Sequence, residues 1–101
     1  MILDRKEKQP SEIKDYVVDY SAWLSEVSGG DTILSATVAV VCLDVPANTT
    51  LLVPNIVVSN VAVAVWLSAG TPDLKYKVTV KATTSGGRLD ESEFIMKIKE
   101  Y

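Results

Sequence analysis

Between Lys75 and Lys99 apolar and polar residues alternate in two runs on either side of Ser85-Gly86-Gly87-Arg88, a period of two that predicts an antiparallel hairpin. In the first run Tyr76, Val78, Val80 and Ala82 share one face, and Lys75, Lys77, Thr79, Lys81 and Thr83 share the other. In the second run Phe94, Met96 and Ile98 oppose Glu93, Lys97 and Lys99, with Ile95 the one apolar residue on the polar side. Placing Val80 opposite Phe94 also sets Val78 against Met96, Tyr76 against Ile98 and Lys81 against Glu93. That register joins apolar to apolar and gives one opposite-charge pair. Tyr76, near the start of the penultimate strand, is placed to form a tyrosine corner, its hydroxyl bonded to upstream backbone; a plain core tyrosine is the alternative.

The rest of the chain reads as shorter strands and turns. The charged opening up to Pro10 is expected to be extended, with a turn over Ser11 to Lys14. Asp15 to Tyr20 alternates with Tyr16 and Val18 on one face and Val17 on the other, and its flanking aspartates suit an edge strand. Ser21 to Val27 is expected to make a helical turn capped by Ser21, seating Trp23 or Leu24 on the end of the core, before Gly29-Gly30. Thr32 to Cys42 is β-branched and lacks glycine and proline, which predicts a central strand covered on both faces. Leu51 to Val53 and Ile56 to Val58 are either two strands or one edge strand interrupted at Pro54. Val61 to Leu67 is apolar throughout. If Val61, Val63, Val65 and Leu67 face the core, then Ala62, Ala64 and Trp66 form an uncharged apolar surface on the other side. Such a patch calls for a cover, either from the N-terminal segment with Trp23, from Leu51 to Val58, or from another molecule. Ala62, Ala64 and Trp66 are therefore the candidate protein interface.

Together these elements predict an all-β fold, an immunoglobulin-like antiparallel β-sandwich of about seven strands with at most one helical turn, spanning residues 1–101 as one domain. Composition narrows what such a domain can do. The net charge of -3 lacks a clustered basic face and argues against nucleic acid. Leu51 to Leu67 is interrupted by Pro54, Asn55, Ser59 and Asn60 and is too short and polar for a membrane-spanning helix. The opening Met1-Ile2-Leu3 runs straight into charged residues without the apolar core of a signal peptide, so secretion by that route is not expected. For the same reason Asn48-Thr49-Thr50 reads as a turn with polar caps rather than as a glycosylation site.

Catalytic chemistry has little to work with. Histidine is absent and Cys42 is the one cysteine, in a Val/Ala-rich run, so a buried inert thiol is expected and no Cys/His zinc cluster can form. Asp90, Glu91 and Glu93, or Asp15 with Asp19, could in principle hold calcium, but they read better as solvated loop and edge charges. Gly86-Gly87 lacks the lysine, hydroxyl residue and helix of a phosphate loop and is a hairpin turn. No catalytic residue, cofactor or metal is expected, and the chain is not read as an enzyme.

Several blocks carry a resemblance: Pro10, Asp15 to Leu24, Asp31-Thr32-Ile33, Val65 to Thr71 and Tyr76 to Arg88. In these blocks the chain resembles a family of small proteins of tailed bacteriophages and prophages, immunoglobulin-like or fibronectin-like modules encoded among capsid and head-tail genes. The family often has tryptophan where Tyr20 stands, glycine where Ala69 stands and aspartate where Gly86 stands. The resemblance implies a virion structural protein made in the host cytoplasm, above all a capsid decoration or cement subunit on the major capsid protein. A neck or minor tail protein of the same virion is the alternative, and a cellular immunoglobulin-like adhesion module is the alternative of another class. Partners would be other phage structural proteins or copies of the chain itself.

Overall fold

The computed structural model describes residues 2–100; Met1 and Tyr101 lie outside the described residues. In chain order the elements are β1 (Ile2–Lys8), β2 (Lys14–Asp19), α1 (Ser21–Leu24), β3 (Ile33–Cys42), β4 (Leu51–Val58), β5 (Ala62–Ala69), β6 (Lys75–Thr84) and β7 (Leu89–Ile98). They form two facing sheets, β1-β7-β6-β3 and β2-β5-β4. The second, fifth and fourth strands on one sheet and the third, sixth and seventh on the other is the immunoglobulin order. The first strand departs from it by joining β7, in parallel, so the larger sheet is mixed rather than wholly antiparallel.

The inner faces follow from the alternation. Val63, Val65 and Leu67 of β5 meet Tyr76, Val78, Val80, Phe94, Met96 and Ile98 of the opposite sheet, all buried. Tyr16 reaches across to Phe94, with ring centroids 5.8 Å apart. Val61 departs from its expected inward position and is exposed, because the chain is still turning out of β4 there.

The β6–β7 hairpin keeps the expected buried faces but not the expected partners. Val78 lies opposite Phe94, Tyr76 opposite Met96, Val80 opposite Ser92 and Lys81 opposite Glu91, a slip of two residues. A two-residue slip preserves which side chains face inward, so the apolar pattern alone does not decide between the two registers. The turn decides. Thr84 N–H donates to Arg88 O, and Gly87, at φ +85°, supplies the left-handed residue that closes a three-residue loop.

Tyr76 does form the corner: its hydroxyl accepts from the Thr71 N–H at 3.0 Å and donates to Asn48 Oδ1 at 2.8 Å. Asn48 Oδ1 also accepts from the Thr50 N–H, so this side chain is occupied as a turn brace. Nearby, Gly70 is required for space as well as for conformation: at φ +101° its position would bring a Cβ to 2.6 Å from Ile98 Cγ1.

Three other expectations are corrected. The opening segment is extended as expected, but it is a paired strand whose end is anchored by Lys8. Lys8 is buried, and its ammonium donates to the carbonyls of Gln9 and Ala69, which tie β1 to the end of β5. α1 is preceded by Tyr20, and it is the Asp19 carboxylate, not Ser21, that receives a first-turn N–H, that of Ser21. Finally, β3 is an edge strand, not a central one, and Leu34, at its register shift, and Val41, on its outer side, are exposed. β4 is one interrupted edge strand: the register shift between Leu52 and Asn55 places Val53 and Pro54 opposite Leu67, a bulge that absorbs the proline.

Candidate functional site

β5 is the middle strand of the smaller sheet, and its outward residues are Ala62, Ala64 and Trp66, followed by Ser68 near its end, as its alternation requires. The ladders set them in rows: Asp15, Trp66 and Asn55 across the sheet, then Val17, Ala64 and Val57, then Asp19 beside Ala62. Ala62, Ala64 and Trp66 are half-buried by these flanking residues, whereas Val17 and Val57 are 62% and 48% exposed. Neither expected intrachain cover lies on this face. The N-terminal strand pairs with β7 on the other sheet, and Leu51–Val58 lies beside β5 in the same sheet. The result is an apolar strip, alanine and valine around a tryptophan, with its only charges, Asp15 and Asp19, along the β2 edge.

The outer face of the larger sheet is different in kind. Lys77 pairs with Glu93 at 3.4 Å and Lys81 with Glu91 at 3.8 Å. Ile95, the apolar residue among the polar ones, is buried because Arg5 of β1 and Lys77 of β6 flank it in the ladder. Their aliphatic stems cover it and keep the charges outside.

A third cluster closes one end of the sandwich. The Arg88 guanidinium lies over the Trp23 ring, 4.3 Å from its centroid, and its Nε donates to Asp31 Oδ2 at 3.2 Å. Asp31 Oδ1 accepts from the Gly86 N–H, and from the Ser85 hydroxyl and the Thr32 N–H. The Thr84 hydroxyl first, then the N–H groups of Thr32 and Gly86 and the Ser85 hydroxyl, hold the Asp31 carboxyl well below the usual carboxylate range. Both carboxylate oxygens of Asp31 are engaged within the chain, so the cluster clasps α1, the start of β3 and the β6–β7 turn together. The sequence reading passed over it, although an aspartate before a strand and an arginine in the turn were its signal.

Among the described residues catalytic geometry does not emerge elsewhere. Cys42 is buried, and its sulfur accepts from the Val45 N–H at 3.4 Å. Among the described residues no group of three His, Cys, Asp or Glu side chains converges, and no helix is long and apolar enough to cross a membrane. What distinguishes this molecule is surface: a seven-stranded module with one charged face and one apolar one. No curated protein sequence matches the chain. Residues 8–97, β2 through nearly all of β7, match the sequence model of a family described as podophage GP4 fiber-tail adaptor protein gp77, and the chain belongs to that family of phage structural proteins.

Proposed function

We propose that the chain is a single-module adaptor subunit at the tail or neck of a podophage-type virion, binding a neighbouring structural protein through the outer face of β2, β5 and β4. The observation that carries this is the uncharged strip of Ala62, Ala64 and Trp66, uncovered within the chain and flanked by exposed Val17 and Val57. Tryptophan in a small-residue surround is a frequent anchor of protein interfaces. The family's description is of an adaptor between fibre and tail, which supports the tail side of the virion over the capsid decoration role that the sequence first suggested. It also favours a structural over an enzymatic role and gives no support to a cellular adhesion module. The test is fractionation of purified virions into tailless heads and tail assemblies, with quantification of the protein in each. The protein is expected with the tails or necks at low copy number. Recovery with tailless heads at a copy number matching the shell protein would restore the decoration role and overturn this one.

A further inference from the structure

The four edges of the two sheets are not protected alike. β1 carries Asp4 to Lys8, five charged residues in succession, β2 carries Lys14, Asp15 and Asp19, and β4 carries Pro54 and a bulge. Each of these is a recognised way of keeping a sheet edge from pairing with another chain. β3 is barer: its ten residues include no charge, glycine or proline, and its one register shift, between Ile33 and Ser35, lies at the start of the strand, before Ala36. The Leu43 N–H donates to Lys75 O at 2.8 Å, so the odd-numbered residues of this run direct their backbone groups toward β6. Strand alternation then turns the N–H and C=O of Ala36, Val38 and Val40 away from β6, to the open side. Among the described residues no hydrogen bond from outside the β3–β6 ladder meets them there. Their side chains point inward, yet all three are only half-buried, whereas their ladder partners Ala82, Val80 and Val78 are fully buried.

We propose that this edge pairs antiparallel with β3 of a second copy about a two-fold axis at Val38, joining two four-stranded sheets into one. A row of free backbone donors and acceptors specifies an extended strand as the occupant. The composition of β3 specifies its own copy. In a two-fold pair a strand meets its own sequence reversed, so any charge near the axis faces its like. β3 instead sets Ala36 against Val40 of the second copy on the inner side and Thr37 against Ala39 on the outer side, with no charge anywhere in the contact. The backbone parity agrees, because Ala36, Val38 and Val40 would then form the closely spaced hydrogen-bonded pairs of an antiparallel ladder. The pairing also covers the half-buried inner residues. It lies on the other sheet from Trp66, so it neither requires nor excludes the tail contact proposed above.

The experiment is sedimentation equilibrium of the full chain over a wide concentration range, with Ala39→Lys and the double variant Thr37→Glu/Ala39→Lys. Both substituted positions are exposed in the single chain, so the fold should tolerate them. The wild type is expected to dimerise, Ala39→Lys to stay monomeric, and the double variant to recover the dimer because its new charges meet with opposite sign across the axis. Hydrogen exchange on the wild type gives a second reading without a substitution: the amides of Ala36, Val38 and Val40 should become protected as concentration rises. A wild type monomeric throughout, an Ala39→Lys dimer as tight as the wild type, a double variant no tighter than the single, or concentration-independent exchange at these amides would each overturn the proposal. So would a monomeric wild type whose Ala39→Lys variant fails to join particles, since the edge would then serve a strand of another protein. Trp66→Arg separates the two proposals, because it should leave the dimer intact.

Discussion

The two outer faces of this sandwich come from the same alternation and do opposite things with it. On the larger sheet the outward positions of β6 and β7 are mostly lysine, glutamate and threonine; Ile95 is buried under the stems of its neighbours, and the exposed large apolar residues are Val41 on the β3 edge and Leu89 at the start of β7. On the smaller sheet the outward positions of the central strand are alanine and tryptophan up to Ser68, flanked by exposed valines. The division is also one of sequence. Of the 23 charged residues only Asp44 falls between Thr32 and Pro72, the stretch that supplies β3, β4 and β5. Eight of the eleven large hydrophobics exposed among the described residues fall in the same stretch. Stability does not require this throughout, since the outward lysines, glutamates and threonines of β6 and β7 show that the fold accepts polar residues on an outer face. The difference therefore points to a demand from outside the chain.

The comparison can be broken or sharpened by substitution. The largest effect should come from the core that both faces share: Phe94→Ala removes a buried ring in contact with Tyr16 and should cost roughly 3 to 5 kcal/mol in chemical denaturation. A cost below about 0.5 kcal/mol, the range of surface substitutions, would mean that the inner and outer faces have been exchanged. Next, Tyr76→Phe leaves the Thr71 N–H and Asn48 Oδ1 without the corner hydroxyl and should cost about 1 to 3 kcal/mol. Lack of any effect would show the corner to be incidental to stability.

A third effect is confined to acid. The Asp31 carboxyl is held below its ordinary value of 3.8, so the native state binds fewer protons there than the unfolded chain. Its contribution is fully present above that value and declines as pH falls through it toward the depressed native one. Asp31→Asn should flatten the fall in melting temperature below about pH 4, the ordinary carboxylate range, while wild type and variant keep a constant offset at neutral pH. An unchanged acid limb would remove Asp31 from the clasp. The smallest effect belongs to the charged face itself. Lys81 and Glu91 are each about half exposed, so Lys81→Ala should cost no more than about 1 kcal/mol. A larger cost would mean that this face also does structural work, and the contrast between the faces would weaken.

Much of this was legible because a period of two survives any error that preserves parity. The buried faces of β5, β6 and β7 could be read from Val63 to Ile98 even with the hairpin register two residues out, since the partners depend on the turn at Gly87 rather than on hydrophobicity. β1 could not be read as a strand because it is charged on both faces; its pairing with β7 is parallel and links residues far apart in sequence. Lys8 was hidden for the same reason, as nothing local marks a lysine that will meet the Ala69 carbonyl. β3 was misplaced by an inference usually sound: apolar residues on both faces imply cover on both faces. Here one face has no cover within the chain, and the candidate site has the same character. The positions of Ala62, Ala64 and Trp66 followed from alternation, while the failure of any segment to fold over them depended on where β1 and β4 dock.

The most direct test sets the same side chain on each outer face. Trp66→Arg and Thr79→Arg both place an arginine at the middle of a sheet, the first on the apolar face and the second between Ala39 and Glu93 on the charged one. Both proteins should fold, and each can be supplied to particles lacking the wild-type chain, with occupancy measured by quantitative mass spectrometry of purified virions. The predicted result is loss of Trp66→Arg from the particles with Thr79→Arg at wild-type occupancy. Full occupancy by a folded Trp66→Arg protein, or loss of Thr79→Arg alone, would contradict the claim that the uncharged face is the one the virion uses.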